Sequence, residues 1–236
     1  MKKILALTLS AALATAGAQS VNTIPATPIG TGLSGVELGL TGGYAGGLSG
    51  ELFVHVPNVA GPVGVKAGVS YTRAADAIND ASPVDPTGLF FPTTYTFGQA
   101  KADGDASESG SRTVFSLDGT YNLGQLSPGL SSTLYAGGRY GMFRSTEVFN
   151  EQPLVYTSSA FGLGAGVMLS YPVSGNLSLV GDLGVDQFFG SSITTRDADG
   201  NTDTFRSGEA NYNDVSSRFV RPGTVFKARI GIKTTF

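Results

Sequence analysis

Residues 226–236 read Phe226-Lys227-Ala228-Arg229-Ile230-Gly231-Ile232-Lys233-Thr234-Thr235-Phe236 and show a clear alternation of side-chain type. Its even-numbered positions carry apolar or weakly polar side chains, and its odd-numbered positions carry Lys, Arg, Gly or Thr. Side chains on a strand alternate between two faces, so the pattern predicts a β-strand with one apolar and one charged face. The apolar face finishes on an aromatic residue, Phe236.

This strand resembles the last strand of bacterial outer-membrane β-barrel proteins. The residues that carry the resemblance are Phe226, Ile230, Ile232 and Phe236. The resemblance implies that these four residues form the signal read by the barrel-assembly machinery, which becomes an expected partner. If it holds, the rest of the chain must supply the other strands of a barrel.

The chain begins with a pattern typical of a secretory signal peptide. Met1-Lys2-Lys3 is basic, residues 4–14 are apolar, and Ala16-Gly17-Ala18 supplies small residues for cleavage. We predict that residues 1–18 are the signal peptide and that residues 19–32 are a periplasmic lead-in without regular structure. The alternative is a cytosolic N-terminal helix.

Composition excludes several classes of protein. The chain has no Cys, so disulfides and thiolate metal sites do not arise. Hydrophobic residues make up 41%, which is too many for a disordered chain, and no stretch is long and apolar enough for a membrane-spanning helix. Without Lys2 and Lys3 the bases fall from 15 to 13 against 18 acids, so the net charge becomes −5 and nucleic acid is an unexpected partner.

Alternation with period two recurs along the chain. It marks eight segments, at residues 36–44, 48–56, 63–73, 112–123, 133–143, 160–171, 177–189 and 226–236. Segments of roughly ten residues suit tilted strands that cross a bilayer. A soluble β-sandwich is the alternative, but its outer faces would be polar, whereas these segments offer Val, Leu, Phe and Tyr.

The connections alternate in length as expected for a barrel in an outer membrane. Short turns are predicted at residues 57–62, 124–131 and 172–176, and long polar connections at 74–111, 145–158 and 190–218, with one tight hairpin at 45–47. Aromatic residues fall near both ends of the segments, as in the girdles of membrane barrels. Residues 33–236 thus resemble the OmpA/OmpX-type family, which implies an eight-stranded antiparallel up-and-down transmembrane β-barrel with three long extracellular loops, periplasmic termini and surrounding outer-membrane lipids.

The inward positions of these strands carry both signs of charge. The predicted network contains Glu37, Glu51, Lys66, Asp118, Arg139, Asp182, Asp186, Lys227, Arg229 and Lys233. An eight-stranded barrel is just wide enough for side chains to fill it, and charges withdrawn from water need partners. We therefore expect a lumen plugged by ion pairs. The alternative is a narrow path along which ions or small solutes pass.

The sequence offers no catalytic constellation and no required cofactor. Its one histidine, His55, lies near a predicted periplasmic turn, and a lone histidine in a barrel is more often a hydrogen-bonded lumen residue. A weak calcium-loop pattern occurs at Asp197, Asp199, Asn201 and Asp203. Its Gly falls at the fourth position and Gly208 stands where a Glu belongs, so a hairpin tip explains the same residues without metal.

Residues 74–111 hold six acids and one lysine, and within them residues 89–97 are rich in aromatics. This segment could extend the flanking strands as a hairpin, present an adhesive surface, or pack on another loop. We expect a non-enzymatic outer-membrane protein that supports envelope integrity or binds a surface ligand or envelope protein through its acidic loops. The alternative is a channel.

Overall fold

The computed structural model describes residues 35–74 and 76–236. The predicted signal peptide and lead-in lie outside these residues. Within them the chain forms ten strands: β1 (Glu37–Tyr44), β2 (Gly47–Ala60), β3 (Val63–Ala74), β4 (Ala106–Ser127), β5 (Leu130–Phe149), β6 (Gln152–Ser174), β7 (Leu177–Phe188), β8 (Ile193–Arg196), β9 (Thr202–Phe205) and β10 (Thr224–Thr235). Two seven-residue helices, α1 (Phe97–Asp103) and α2 (Tyr212–Arg218), interrupt the long connections.

Eight of these strands close into a ring. Each strand from β1 to β6 pairs antiparallel with the next, and β10 completes the ring by pairing with both β7 and β1. In the closing pair Glu37 lies opposite Thr235, and Tyr44 lies opposite Ala228. The predicted eight-stranded antiparallel barrel is confirmed.

Side chains alternate across the barrel wall. On β1, for example, Glu37 and Thr41 are buried while Leu38, Leu40 and Tyr44 are exposed. Apolar residues face outward on the other barrel strands too, and each of them buries polar or charged residues, alongside some apolar ones such as Phe53 and Met168. It is the pattern expected when the solvent around the wall is hydrocarbon, because lipid accepts Leu and Tyr but not a carboxylate.

The two ends of the barrel differ. We call the end with the β2–β3, β4–β5 and β6–β7 connections the short-turn end, and the opposite end the long-loop end. The short-turn connections are tight. Two residues separate β4, which ends at Ser127, from β5, which begins at Leu130, and two separate β6, which ends at Ser174, from β7, which begins at Leu177. The long-loop end carries the β3–β4 and β7–β10 connections.

The expectation of a long loop at residues 145–158 is corrected by the structure. These residues are the ends of β5 and β6, joined by a turn at Asn150 and Glu151, which have φ values of 47° and 65°. Beyond the hydrocarbon the outer face of a strand no longer has to be apolar. A strand that continues past the lipid therefore lacks the signal by which the sequence analysis recognised strands.

The prolonged strands carry a small additional sheet. The β8–β9 hairpin pairs with β6, so β4, β5, β6, β8 and β9 stand side by side at the long-loop end and β9 forms the edge. Among residues 35–74 and 76–236, no helix is long and apolar enough to cross a membrane.

Two long loops fold over the mouth of the barrel. We call residues 76–105 and 206–223 the cap. An isolated bridge joins Ile78 to Phe219, and the backbone N–H of Val220 donates to the carbonyl of Ala77 at 3.1 Å. The cap packs on inward-facing residues of the strand ends, including Phe143 and Phe188. The long-loop end of the lumen is thereby covered by apolar side chains.

Candidate functional site

The lumen below the cap is filled by charged side chains from opposite walls. All ten residues of the predicted network are buried: Glu37, Glu51, Lys66, Asp118, Arg139, Asp182, Asp186, Lys227, Arg229 and Lys233. Their alternation on strands dictates the inward direction, and barrel closure brings residues far apart in sequence within reach. They form three groups.

The first group centres on Arg139. Its Nη1 donates to Asp118 Oδ1 at 2.6 Å and its Nε donates to Asp186 Oδ1 at 2.8 Å. Lys227 Nζ also donates to Asp186 Oδ1, at 2.9 Å. One guanidinium on β5 thus bridges acids on β4 and β7, using two of its planar donors.

The second group centres on Glu51. Its two oxygens accept from Lys66 at 2.6 Å and from Arg229 at 2.5 Å. Arg229 lies 3.8 Å from Asp182, which accepts a hydrogen bond from the hydroxyl of Tyr135 at 2.6 Å. The carboxylates are therefore compensated by cations and a phenol, as charges removed from water require.

The third group lies toward the short-turn end. Glu37 accepts from Lys233 at 2.6 Å and lies 2.7 Å from His55 Nδ1. His55 Nε2 is 3.0 Å from the hydroxyl of Thr120. This Thr–His–Glu chain has the connectivity of a nucleophile, a base and an orienting acid. However, His55 is 1% exposed and Thr120 4% exposed, so a substrate does not reach them.

Apolar side chains fill the space between the charges. Phe53, Tyr135, Met168 and Val180 form a buried cluster inside the barrel. The sequence analysis did not assign Tyr135 a direction, although it lies four residues from Arg139 and so shares its face. That spacing was the available signal.

Small residues on the inner wall make room for the network. A Cβ at Gly164 would overlap Asp186 Oδ1 and lie 2.5 Å from Arg139 Nε, and a Cβ at Gly68 would lie 2.7 Å from Glu51 Oε1. Real Cβ atoms do not approach other atoms this closely, so a larger residue at either position would force the charged side chains opposite it to move.

The cap has its own polar fastening. Arg218 donates from Nε to Glu147 Oε2 at 2.8 Å and from Nη1 to the carbonyl of Pro83 at 2.5 Å. Tyr156 donates to the other oxygen of Glu147 and stacks on Phe219 with ring centroids 5.8 Å apart. The partly buried Arg218 therefore ties both cap loops to β5, and the stacking of Phe219 on Tyr156 adds a contact with β6. Glu147, Tyr156 and Arg218 all lie in segments predicted to be loops, so the sequence pattern gave no sign of this contact.

A second cation holds the first cap loop. Lys101 on α1 contacts Asp80 and Glu108, each at 2.5 Å, and Glu108 also accepts from the backbone N–H groups of Ala77 and Ile78. Burial lowers the pKa of Lys101, but the hydrogen bonds to Asp80 and Glu108 outweigh it and raise the pKa.

Residues 85–91 form a turn that holds two apolar side chains in solvent. Asp85 accepts hydrogen bonds from Thr87 and from the backbone N–H groups of Phe90 and Phe91. The hydrogen bond from the Thr87 side chain and that from the Phe90 N–H lower the pKa of Asp85. Leu89 is 79% exposed and Phe90 84% exposed. Their exposure to solvent is explained neither by the predicted extension of the strands nor by packing of one loop on another.

The calcium-loop residues lie at the tip of the β8–β9 hairpin. Asp197 accepts from the backbone N–H and the side-chain amide of Asn201, so its carboxylate closes the turn. Within residues 35–74 and 76–236, no three His, Asp or Glu side chains are grouped to hold a metal ion.

Comparison with known proteins identifies the family to which the chain belongs. It is 32% identical to a major outer membrane protein from Thermus thermophilus, over 85% of this chain and 98% of that one, with a TM-score of 0.75. The chain belongs to the family of small eight-stranded outer-membrane β-barrel proteins. Neisserial surface protein A and Ail of Yersinia pestis are more distant, at 13% and 9% identity and TM-scores of 0.39 and 0.40, covering 85% of this chain and 96% and 97% of theirs. No protein-family model and no curated protein matches.

Membership in this barrel family explains the exposed outer wall. The chain is an integral outer-membrane protein, and its outward Leu, Val, Ile and aromatic side chains face lipid. Toward the long-loop end the exposed rings are Tyr44, Tyr71, Phe115, Tyr140, Phe161, Phe189 and Phe226. Toward the short-turn end they are Tyr121, Tyr171 and Phe236.

Proposed function

We propose that this barrel is a non-enzymatic protein of the cell surface, whose long-loop end faces outward and binds a ligand or an envelope protein. The observation that carries the proposal is the contrast between a filled lumen and an ordered, projecting long-loop end. The ten charged residues engage one another inside the wall, whereas Leu89 and Phe90 are held in solvent by Asp85.

The channel alternative meets two obstacles in series. An ion entering from the long-loop end would have to pass the apolar cluster that the cap forms with the strand ends, which includes Phe219 and Phe143, and it would lose its hydration there. It would then have to displace the ion pairs of Arg139 and Glu51. We infer that the barrel contributes to envelope integrity as a closed structure and that its lumen does not conduct ions or small solutes.

Planar-bilayer recording tests the closed lumen. The purified barrel should give no channel steps, and removing either obstacle alone, by Arg139→Ala or by Phe219→Ala, should leave the bilayer silent while the other obstacle remains. The double variant should conduct if it still shows heat-dependent gel mobility. Channel steps from the unaltered barrel would overturn the proposal in favour of a porin-like role.

Orientation is tested on intact cells with chymotrypsin, which cleaves after aromatic residues. We expect cleavage next to Phe90 without permeabilising the outer membrane, because this side chain is exposed on a turn. A Leu89→Ser/Phe90→Ser variant is the matched control and should resist cleavage at that site. Cleavage that requires permeabilised cells would place the long-loop end in the periplasm.

A further inference from the structure

A groove of about 450 Å³ lies on the outer wall at the long-loop end, over β4, β5, β6 and the start of β8. Seven of its ten lining residues are Ser or Thr, and Arg144 is its one cation. Such a lining is hydrophilic, although the same wall is apolar further down. Neither the lumen nor the cap makes use of this groove.

The strand register fixes its depth in the bilayer. Tyr140 is paired with Phe115 on one side and Phe161 on the other, and all three rings are exposed. The next outward row toward the long-loop end is Thr113, Met142 and Ser159, and the row beyond is Ser111, Arg144 and Thr157. Amphipathic rings prefer the headgroup level, so the groove begins where acyl chains give way to headgroups.

A second arginine flanks the groove. Arg73 on β3 is paired with Ser111, and Ser111 is paired with Arg144. One strand separates the two arginines, which places their Cα atoms about 10 Å apart. Both are exposed, and within residues 35–74 and 76–236 neither forms an ion pair or a side-chain hydrogen bond. Guanidinium groups at this spacing can converge on one phosphate, for which their planar donors are suited.

We propose that the groove binds the phosphate-bearing headgroup of a lipid with net negative charge in the leaflet at the long-loop end. Arg73 and Arg144 contact the phosphate, and the Ser and Thr side chains contact hydroxyl groups of the same headgroup. A lipid fits better than a soluble phosphate ion because the groove continues directly into the wall that contacts acyl chains. The inference is independent of which leaflet the long-loop end faces.

The chain has no Trp, so a single Trp reports its own lipid contacts. We would replace Phe115, which lies between the strands of the two arginines, and measure quenching in phosphatidylcholine vesicles containing a minor fraction of brominated phosphatidylglycerol. Phe226→Trp on β10, four strands away around the ring, is the matched control. A basic residue near the surface enriches anionic lipid about fivefold, so quenching at Phe115→Trp should exceed quenching at Phe226→Trp by several-fold.

The excess should disappear in Arg73→Gln/Arg144→Gln and persist in Arg206→Gln, which removes a charge from an exposed pair in the cap. With both arginines present, high salt should reduce the excess quenching at Phe115→Trp, which tests the electrostatic attraction without removing either arginine. Brominated phosphatidylcholine should quench both reporters equally. Equal quenching of both reporters by phosphatidylglycerol, or an excess that survives loss of both arginines, would overturn the proposal.

Discussion

The lumen and the cap close the same barrel by opposite chemistry. The lumen is closed by charges from strands that are far apart in sequence, as when Arg229 donates to Glu51 and Lys233 donates to Glu37. The cap is closed by apolar side chains from two loops, among them Ile78, Phe97 and Phe219. Paired charges specify one arrangement and penalise any loss of a partner, whereas apolar packing tolerates exchange but depends on volume.

The comparison predicts that the largest loss of stability comes from the lumen. Arg139→Met should lower the free energy of unfolding by about 3–5 kcal/mol, because Asp118 and Asp186 lose a buried cation. The measurement is the urea midpoint of the vesicle-embedded barrel, followed by heat-dependent gel mobility. Arg206→Met, in an exposed pair, should change it by at most about 1 kcal/mol. Equal midpoints for the two variants would mean that the lumen charges do not hold the barrel together.

The cap should be weakened without unfolding the barrel. Phe219→Ala removes a buried ring that stacks on Tyr156, so the opening free energy of the cap should fall by about 3–5 kcal/mol. We expect faster proteolysis within residues 76–105 and 206–223 and an unchanged unboiled gel band. Phe90→Ala is the same chemical change at an exposed site, and it should not accelerate proteolysis in either segment. If Phe219→Ala also abolishes the unboiled band, the cap and barrel unfold as one unit.

Inner and outer glycines should respond differently to one added methyl group. Gly164→Ala forces a Cβ against Asp186 and Arg139, which should cost about 1–3 kcal/mol of stability. Gly138→Ala meets nothing within 4 Å and serves as the control. Thermal midpoints of the gel-mobility transition should separate the two variants. Matching midpoints would show that the network can shift to accept the extra atom.

The smallest expected effect is the response of the exposed 85–91 turn to acid. The hydrogen bond from Thr87 and that from the Phe90 N–H lower the pKa of Asp85 below its ordinary value of 3.8. The folded turn therefore binds the proton less tightly than the unfolded one. Its contribution is fully present above pH 3.8 and is lost as the pH falls through the lowered pKa.

Hydrogen exchange of the Phe90 and Phe91 amides measures this loss. Exchange corrected for its intrinsic pH dependence should accelerate on acidification, and Asp85→Asn should show faster exchange at neutral pH with no further acid response. Amides of the cap core, such as Phe219, provide the internal control. If the acid response persists in Asp85→Asn, a titratable group other than Asp85 causes it.

The barrel was predictable because one physical rule repeats eight times. Apolar residues at every second position define the lipid-facing wall, and the same parity assigns the ten lumen charges to the inner face, where all ten are buried. The rule stopped working where the lipid stops. The ends of β5 and β6 project beyond it with mixed outer faces, so alternation alone does not predict their hairpin.

Alternation within a single segment is enough to identify the eight membrane-crossing segments, their two faces and the sign of charge on each inward position. Which of these charges meet depends on how the barrel closes. Arg139 reaches Asp118 and Asp186 rather than another acid because closure and register place them together. The cap was decided in the same way, since Phe97 and Phe219 have no local periodicity and become a core only when two loops meet over the barrel mouth.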